Sequence, residues 1–141
     1  MAAANKFNQF VEDVAEKVHN LQSDTLKVML TNTAPIATNA VQADIAEIAA
    51  ANGYTAGGTQ SVQASSAQVS GTYKLVLADV TYTASAGSIG PFRYPVLYND
   101  TPTSPADPLI LFWDYGASIT LTDGNSFTVD FSATNGVLTL A

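Results

Sequence analysis

The chain is predicted to be mainly β, an antiparallel β-sandwich or jelly-roll-like fold with an amphipathic helix at its N-terminus. Three observations predict it. Residues 118–141 alternate apolar and polar side chains almost to the end, with Ile119 and Leu121 on one strand face and Phe127, Val129 and Phe131 on the next. Strict alternation is the mark of a half-buried strand. The pairs Asp123-Gly124 and Asn135-Gly136 tolerate the positive φ of tight hairpins. Upstream, apolar runs and turn residues recur often enough to give roughly seven or eight short strands, as in sandwiches and barrels.

The helix is expected over residues 5–21. Phe7, Phe10, Val11, Val14, Val18 and Leu21 recur at helical spacing, Glu12, Asp13, Glu16 and Lys17 fall elsewhere, and Asn5 is the candidate N-cap. Its apolar stripe either covers one open face of the β-framework or forms an arm that docks on a neighbouring subunit. Residues 24–32 form the first strand, with Leu26, Val28 and Leu30 on one side and Lys27 and Met29 on the other. A loop broken by Pro35 follows. Asp44 and Glu47 stand at capping-box spacing and predict a short helical turn that Asn52-Gly53 can close.

Residues 54–58 read as a turn into a Gln/Ser/Val-rich strand ending near Val69, and Gly71 marks a turn or bulge. Strands are expected over 74–83 and over 88–98. Pro91 and Pro95 argue for an edge position or a bulge in the second. Residues 99–108 form a loop holding Pro102, Pro105 and Pro108. The most hydrophobic strand, 109–115, carries Trp113, the only tryptophan.

No repeat or linker divides the 141 residues, so residues 1–141 are expected to fold as one domain. Such a domain buries roughly two-thirds of the surface that its unfolded chain exposes. Apolar residues make up 47% of the chain and charged residues only 12%, about half the usual share. Thr, Ser, Asn, Gln and Ala must therefore cover the surface, and such a surface costs little to desolvate against a neighbour. The net charge is −7, and residues 94–141 carry Asp100, Asp107, Asp114, Asp123 and Asp130 without a single Lys, Arg or His. An acidic chain repels phosphate backbones, so direct nucleic-acid binding is not expected. With no cysteine, disulfides and thiolate metal sites are excluded. The N-terminus lacks the apolar stretch of a signal peptide, and the run 109–113 is too short to span a bilayer as a helix. A soluble protein made in the cytoplasm is the expectation, with no membrane partner.

Few residues suit catalysis. His19 is the sole histidine and lies within helical reach of Glu12 and Glu16. It is read as part of a solvated charged face rather than as a metal ligand. No Gly-x-Ser-x-Gly elbow accompanies it. Asp79, Asp114 and Asp130 fall in predicted strands; Asp79 and Asp130 sit between apolar residues as outward-facing positions do, so solvated strand polar groups are expected rather than a glycosidase pair. The Gly-rich stretch 54–59 lacks the lysine of a phosphate loop, and 123–126 lacks the ligand spacing of an EF-hand. The chain is expected to be no enzyme and to hold no cofactor. Aromatics at Phe92, Tyr94, Tyr98, Phe112, Trp113 and Tyr115 leave a carbohydrate-binding face as a competing reading.

Several segments in order carry a family resemblance: Asp24-Thr-Leu-Lys-Val-Met-Leu-Thr-Asn32, Asn52-Gly-Tyr-Thr-Ala-Gly-Gly58, Phe92-Arg-Tyr-Pro-Val-Leu-Tyr98, Pro108-Leu-Ile-Leu-Phe-Trp-Asp-Tyr-Gly116, Ser126-Phe-Thr-Val-Asp-Phe131 and Asn135-Gly-Val-Leu-Thr-Leu140. Together they resemble small virion structural proteins of tailed bacteriophages. The resemblance implies a capsid decoration (cement) protein on the head exterior, made in the host cytoplasm and bound to the major capsid protein as a homo-oligomer, a dimer or trimer. Tail, neck and head-fibre components share such β-architecture and are the alternative. The resemblance transfers no catalytic residues. The expected contact surface comprises Phe7, Phe10, Val14 and Val18 of the helix and Asn99, Asp100, Thr101, Pro102, Pro105 and Asp107 of the proline-rich loop, because a loop this long on a compact β-domain is often functional.

Overall fold

A computed structural model describes residues 2–141 and shows a mainly β protein built from several antiparallel sheets. In chain order the elements are β1 (Asn5–Lys6), α1 (Gln9–Ala15), β2 (Leu26–Thr31), a 3-10 turn (Gln42–Asp44), β3 (Thr59–Gln60), β4 (Gln63–Val69), β5 (Thr72–Leu77), β6 (Val80–Thr83), β7 (Ile89–Phe92), β8 (Tyr94–Asn99), β9 (Leu109–Phe112), β10 (Ile119–Leu121), β11 (Ser126–Val129) and β12 (Leu138–Leu140). The largest sheet has the order β1-β9-β8-β2-β3. A three-stranded sheet follows the order β12-β5-β4, and β10 pairs with β7 and β11 with β6.

The main core lies between these sheets. Leu26, Val28 and Leu30 point into it from β2, as the alternation requires. There they meet Leu75 and Leu77 of β5, Val80 and Tyr82 of β6, Ile89 and Phe92 of β7, Leu97 of β8, Ile110 of β9 and Val129 of β11. Met29 points the opposite way, into a second cluster with Phe7, Val96, Tyr98 and Leu109. The central sheet is thus buried on both faces. Residues 37–45 and Gly57 lie over that second face, while Ile48 and Tyr54 between them pack into the main core. Asn8 N–H donates to Ala37 O at 2.9 Å, Leu109 N–H to Ala40 O at 3.0 Å, and Tyr98 Oη to Gly57 O at 2.7 Å. Fully burying a side chain of this kind contributes about 1.5–3 kcal/mol, so the covering loop is a structural layer in its own right.

The helix is shorter than its apolar spacing suggests. Asn5 and Lys6 pair with Phe112 and Leu111 as a short edge strand, so Asn5 is no N-cap; the cap position is Asn8. The C-terminal end is a Schellman motif: Lys17 takes φ 67°, Val18 N–H reaches Asp13 O at 2.8 Å, and Lys17 N–H reaches Val14 O at 3.3 Å. Glycine usually fills that left-handed position, and a lysine there gives no warning in the sequence.

Four other expectations are corrected. Asp44 closes the 3-10 turn instead of opening a helix, and its carboxylate accepts from Ala40 and Val41 N–H at 2.9 and 3.2 Å. Those backbone donors hold it below the usual carboxylate range. The stretch 74–83 is two strands, split where Asp79 Oδ1 accepts Phe131 N–H at 2.8 Å. The stretch 88–98 is likewise two, and Pro95 lies in β8 at the middle of the central sheet, not at an edge. Its partner Leu30 turns its backbone away from β8, donating to Tyr54 Oη at 3.0 Å and accepting from Ile48 N–H at 3.1 Å. The pair is therefore a non-hydrogen-bonded one, and the missing proline N–H costs β2 nothing. Finally, the tail strands do not form hairpins with one another: β10 crosses to β7, β11 to β6 and β12 to β5.

Candidate functional site

The end of α1 and the proline-rich loop meet over a buried polar cluster. After the Schellman turn the chain bends at residues 20–24, where Asn20 N–H donates to Asp24 Oδ2 at 2.8 Å. Asp24 Oδ2 also accepts Asn99 Nδ2 at 2.6 Å, and the same Asn99 nitrogen lies 3.0 Å from His19 Nδ1. Asn99 Oδ1 accepts Thr101 N–H at 3.1 Å, and Thr101 Oγ1 accepts Thr25 N–H at 2.7 Å. One asparagine side chain therefore ties the helix end, the 20–24 turn and the start of the loop together.

The hydrogen-bond roles fix the state of His19. An amide nitrogen only donates, so Nδ1 accepts and the ring proton sits on Nε2. That atom faces Asp13 Oδ2 across 4.0 Å, and neither has a hydrogen-bond partner. Asp13 Oδ1 accepts Gln9 Nε2 at 3.3 Å. The His19 side chain has no solvent exposure and packs beside Phe10, with ring centroids 5.2 Å apart. Burial lowers its pKa from the usual 6.5, and nearby Asp13 and Asp24 oppose that shift. The expectation of a solvated face at Asp13 and His19 is overturned. Here His19 spaces two segments.

Two clefts flank this cluster. The larger, about 720 Å³, is lined among others by Lys17, Val18, Asn20, Ser66, Thr101 and Pro102. The smaller, about 360 Å³, is lined by Glu12, Glu16, Val41, Ser104 and Pro105 among others. Of the residues expected to make contacts, Val18, Thr101, Pro102 and Pro105 are thus brought onto one side of the molecule. Asp100 is exposed and pairs with Lys27 at 2.8 Å. Asp107 is half-buried, and burial with Asp100 close by raises its pKa. Val14 is half-buried against the core. Phe7, Phe10 and Asn99 are buried within the chain and belong to its interior, not to a contact surface. His19, Asp13 and Asp24 were missed as organising residues. The one available signal was the run of turn-formers Asn20, Ser23 and Asp24, which ends a helix before Leu21.

The aromatic residues do not form an open platform. Tyr98 and Trp113 are 2% and 4% exposed, Tyr94 is half-buried under the Arg93 guanidinium, and only Tyr115 of the four stands free, at 54%. Tyr115 meets Phe127 edge to face, with ring centroids 5.4 Å apart. The carboxylates are likewise dispersed. Asp79 and Asp130 are exposed as expected. Asp114 is held by Arg93 through two hydrogen bonds of 2.7 and 2.9 Å, which keep its carboxyl below its usual range. Among the described residues no group of three or more His, Cys, Asp or Glu side chains could hold a metal ion. No helix among them is long and apolar enough to cross a membrane. Comparison with protein-family models, with curated proteins and with solved structures returned no match.

Proposed function

We propose that this chain is a non-enzymatic virion structural protein, a capsid decoration protein whose sheets wrap one core as a β-sandwich and which binds the assembled head exterior. The observation that carries the reading is the meeting of the helix end and the proline-rich loop. Two segments some eighty residues apart in sequence, each independently suited to contact, lie side by side over one rigid polar cluster. A surface fixed before binding loses little entropy on docking. Val18, Asn20, Thr101, Pro102 and Pro105 there are apolar or neutral and cheap to desolvate, and Glu12, Glu16 and Lys17 add charge beside them. A clamp that binds only the assembled lattice stabilises it by linkage, and many copies multiply the effect.

The test is co-sedimentation of the purified protein with empty expanded phage heads, followed by electron microscopy and averaging of any bound density. Ordered density on the shell, with its contacts at Thr101 and Pro102, is the expected result. Bare heads beside free protein would refute the head assignment and favour a tail, neck or fibre station.

A further inference from the structure

Strand β4 is an exposed edge strand. It forms the free edge of the β12-β5-β4 sheet and is exposed along most of its seven residues. Edge strands are normally blunted by charge, proline or a covering element, because their unpaired N–H and C=O groups template another strand. Here Gln63-Ala-Ser-Ser-Ala-Gln-Val69 has neither charge nor proline, and its one bulge lies at the N-terminal end, between Gln63 and Ser65, leaving residues 65–69 regular. The two aliphatic side chains bracketing it, Val62 and Val69, are 58% and 72% exposed.

The geometry of the hairpin says which groups are free. Ser70 and Gly71 both have positive φ, 53° and 83°, and Val69 pairs directly with Thr72. This is a two-residue type I′ turn, whose closing pair is hydrogen-bonded. Counting back by twos, Val69, Ala67 and Ser65 turn their backbone groups toward β5, while Ser66 and Gln68 turn theirs outward.

We propose that this edge pairs with the same edge of a second copy, antiparallel about a dyad at Ser66, giving a six-stranded sheet across two chains. Charge selects that occupant. The chain carries a net charge of −7, yet residues 48–73 contain no Asp, Glu, Lys, Arg or His. It is the longest uncharged stretch in the sequence and the place where two acidic copies can abut without setting like charges against each other. The segment Val62-Gln-Ala-Ser-Ser-Ala-Gln-Val69 also reads the same in both directions. Its centre lies between Ser65 and Ser66, beside the dyad, so small neutral residues face small neutral residues on both sides of it. A dyad on an outward-facing residue lets Ser66 of each chain exchange both backbone hydrogen bonds, and each Gln68 meets the opposite Ala64.

The inference is tested on the purified chain alone, without heads, although Ser66 and Gln68 also line the larger cleft. Light scattering should give twice the single-chain mass. Amide exchange at Ala64, Ser66 and Gln68 should slow as concentration rises, with the inward amides of Ser65, Ala67 and Val69 unchanged. Ser66→Lys sets two ammonium groups opposite each other and should give a monomer with the circular dichroism of the parent. Ser66→Pro, which removes the central outward N–H, should do the same. A monomer at every concentration would overturn the proposal, as would an oligomer in which Ser66 and Gln68 exchange as fast as at high dilution. So would an oligomer that a folded Ser66→Lys leaves intact. Protection that appears only when phage heads or another protein are added would also overturn it, in favour of a strand from that partner.

Discussion

Along β2 and β8 nearly every side chain is buried, whereas β6 buries every second one and β11 exposes two of its four residues. All four strands are antiparallel and rich in β-branched and aromatic residues, so propensity does not separate them. Coverage does. The central sheet has the main core on one face and the second cluster, under Phe7 and residues 37–45, on the other, so both sets of alternating positions must be apolar. The small sheets have a core on one side and water on the other. Thr81 and Thr128, and Thr83 and Ser126, face each other there as hydroxyl pairs at 2.9 and 2.7 Å. A continuous apolar run in this chain reports a second layer of backbone, and strict alternation reports its absence.

That difference can be broken most severely at Gly58. Its φ is +76°, and a Cβ there would overlap the Val28 carbonyl where the covering loop lies against β2. Gly58→Ala should cost more than about 3 kcal/mol or prevent folding. Gly124, in a tail turn with φ +84°, has open space where a Cβ would go, so Gly124→Ala should cost only about 1–2 kcal/mol of left-handed strain. Urea unfolding of both variants checks the contrast, and equal losses would mean that the covering loop is no tighter than the tail.

Next in size is Leu30→Ala, a cavity in the doubly covered sheet. It should cost about 3 kcal/mol, against roughly 1 kcal/mol for Leu138→Ala in the half-buried β12. The same titrations read it out.

His19 gives a smaller, pH-dependent effect. Its pKa in the folded chain lies below the 6.5 of an unfolded one, so below pH 6.5 the unfolded state binds more protons and stability falls. The loss should begin near pH 6.5 and level off once the folded His19 is itself protonated. Protonation also turns Nδ1 into a donor facing the Asn99 amide nitrogen, so Thr101 should loosen in the same window. Thermal melts from pH 7.5 to 5 should show this slope in the parent and a shallower one in His19→Gln; parallel slopes would refute the assignment. Smallest of all, Asp100→Asn removes an ion pair whose side chains are 29% and 34% exposed, worth about 0.5 kcal/mol at low salt and less at high salt.

Much of the fold was legible because strand period and apolar content are local properties. The faces of Leu26, Val28, Leu30 and Met29, the outward Asp130, and the strands at 119–121 and 126–129 follow from alternation, and the strand at 109–112 from its apolar run. The candidate site was legible only as two separate segments. Nothing in the spacing places His19 beside Asn99, eighty residues away, or buries Asp13 beneath both. The helix was overextended because its apolar period continues through Val18 and Leu21, while the stop rests on a lysine in a glycine's conformation.

The sequence by itself determined an acidic, cysteine-free, mainly antiparallel β chain, since composition and a two-residue period need no partner to be read. Tertiary structure alone decided which strands pair, because any alternating strand presents the same ladder of N–H and C=O groups to any other. It sent β10, β11 and β12 to β7, β6 and β5 instead of to one another. It also set Pro95 in a central strand, where a non-hydrogen-bonded position makes its missing N–H harmless to β2, and left β4 at an open edge. Burial of apolar surface from distant segments outweighs the local turn signal, and that balance is struck only once the whole core is assembled.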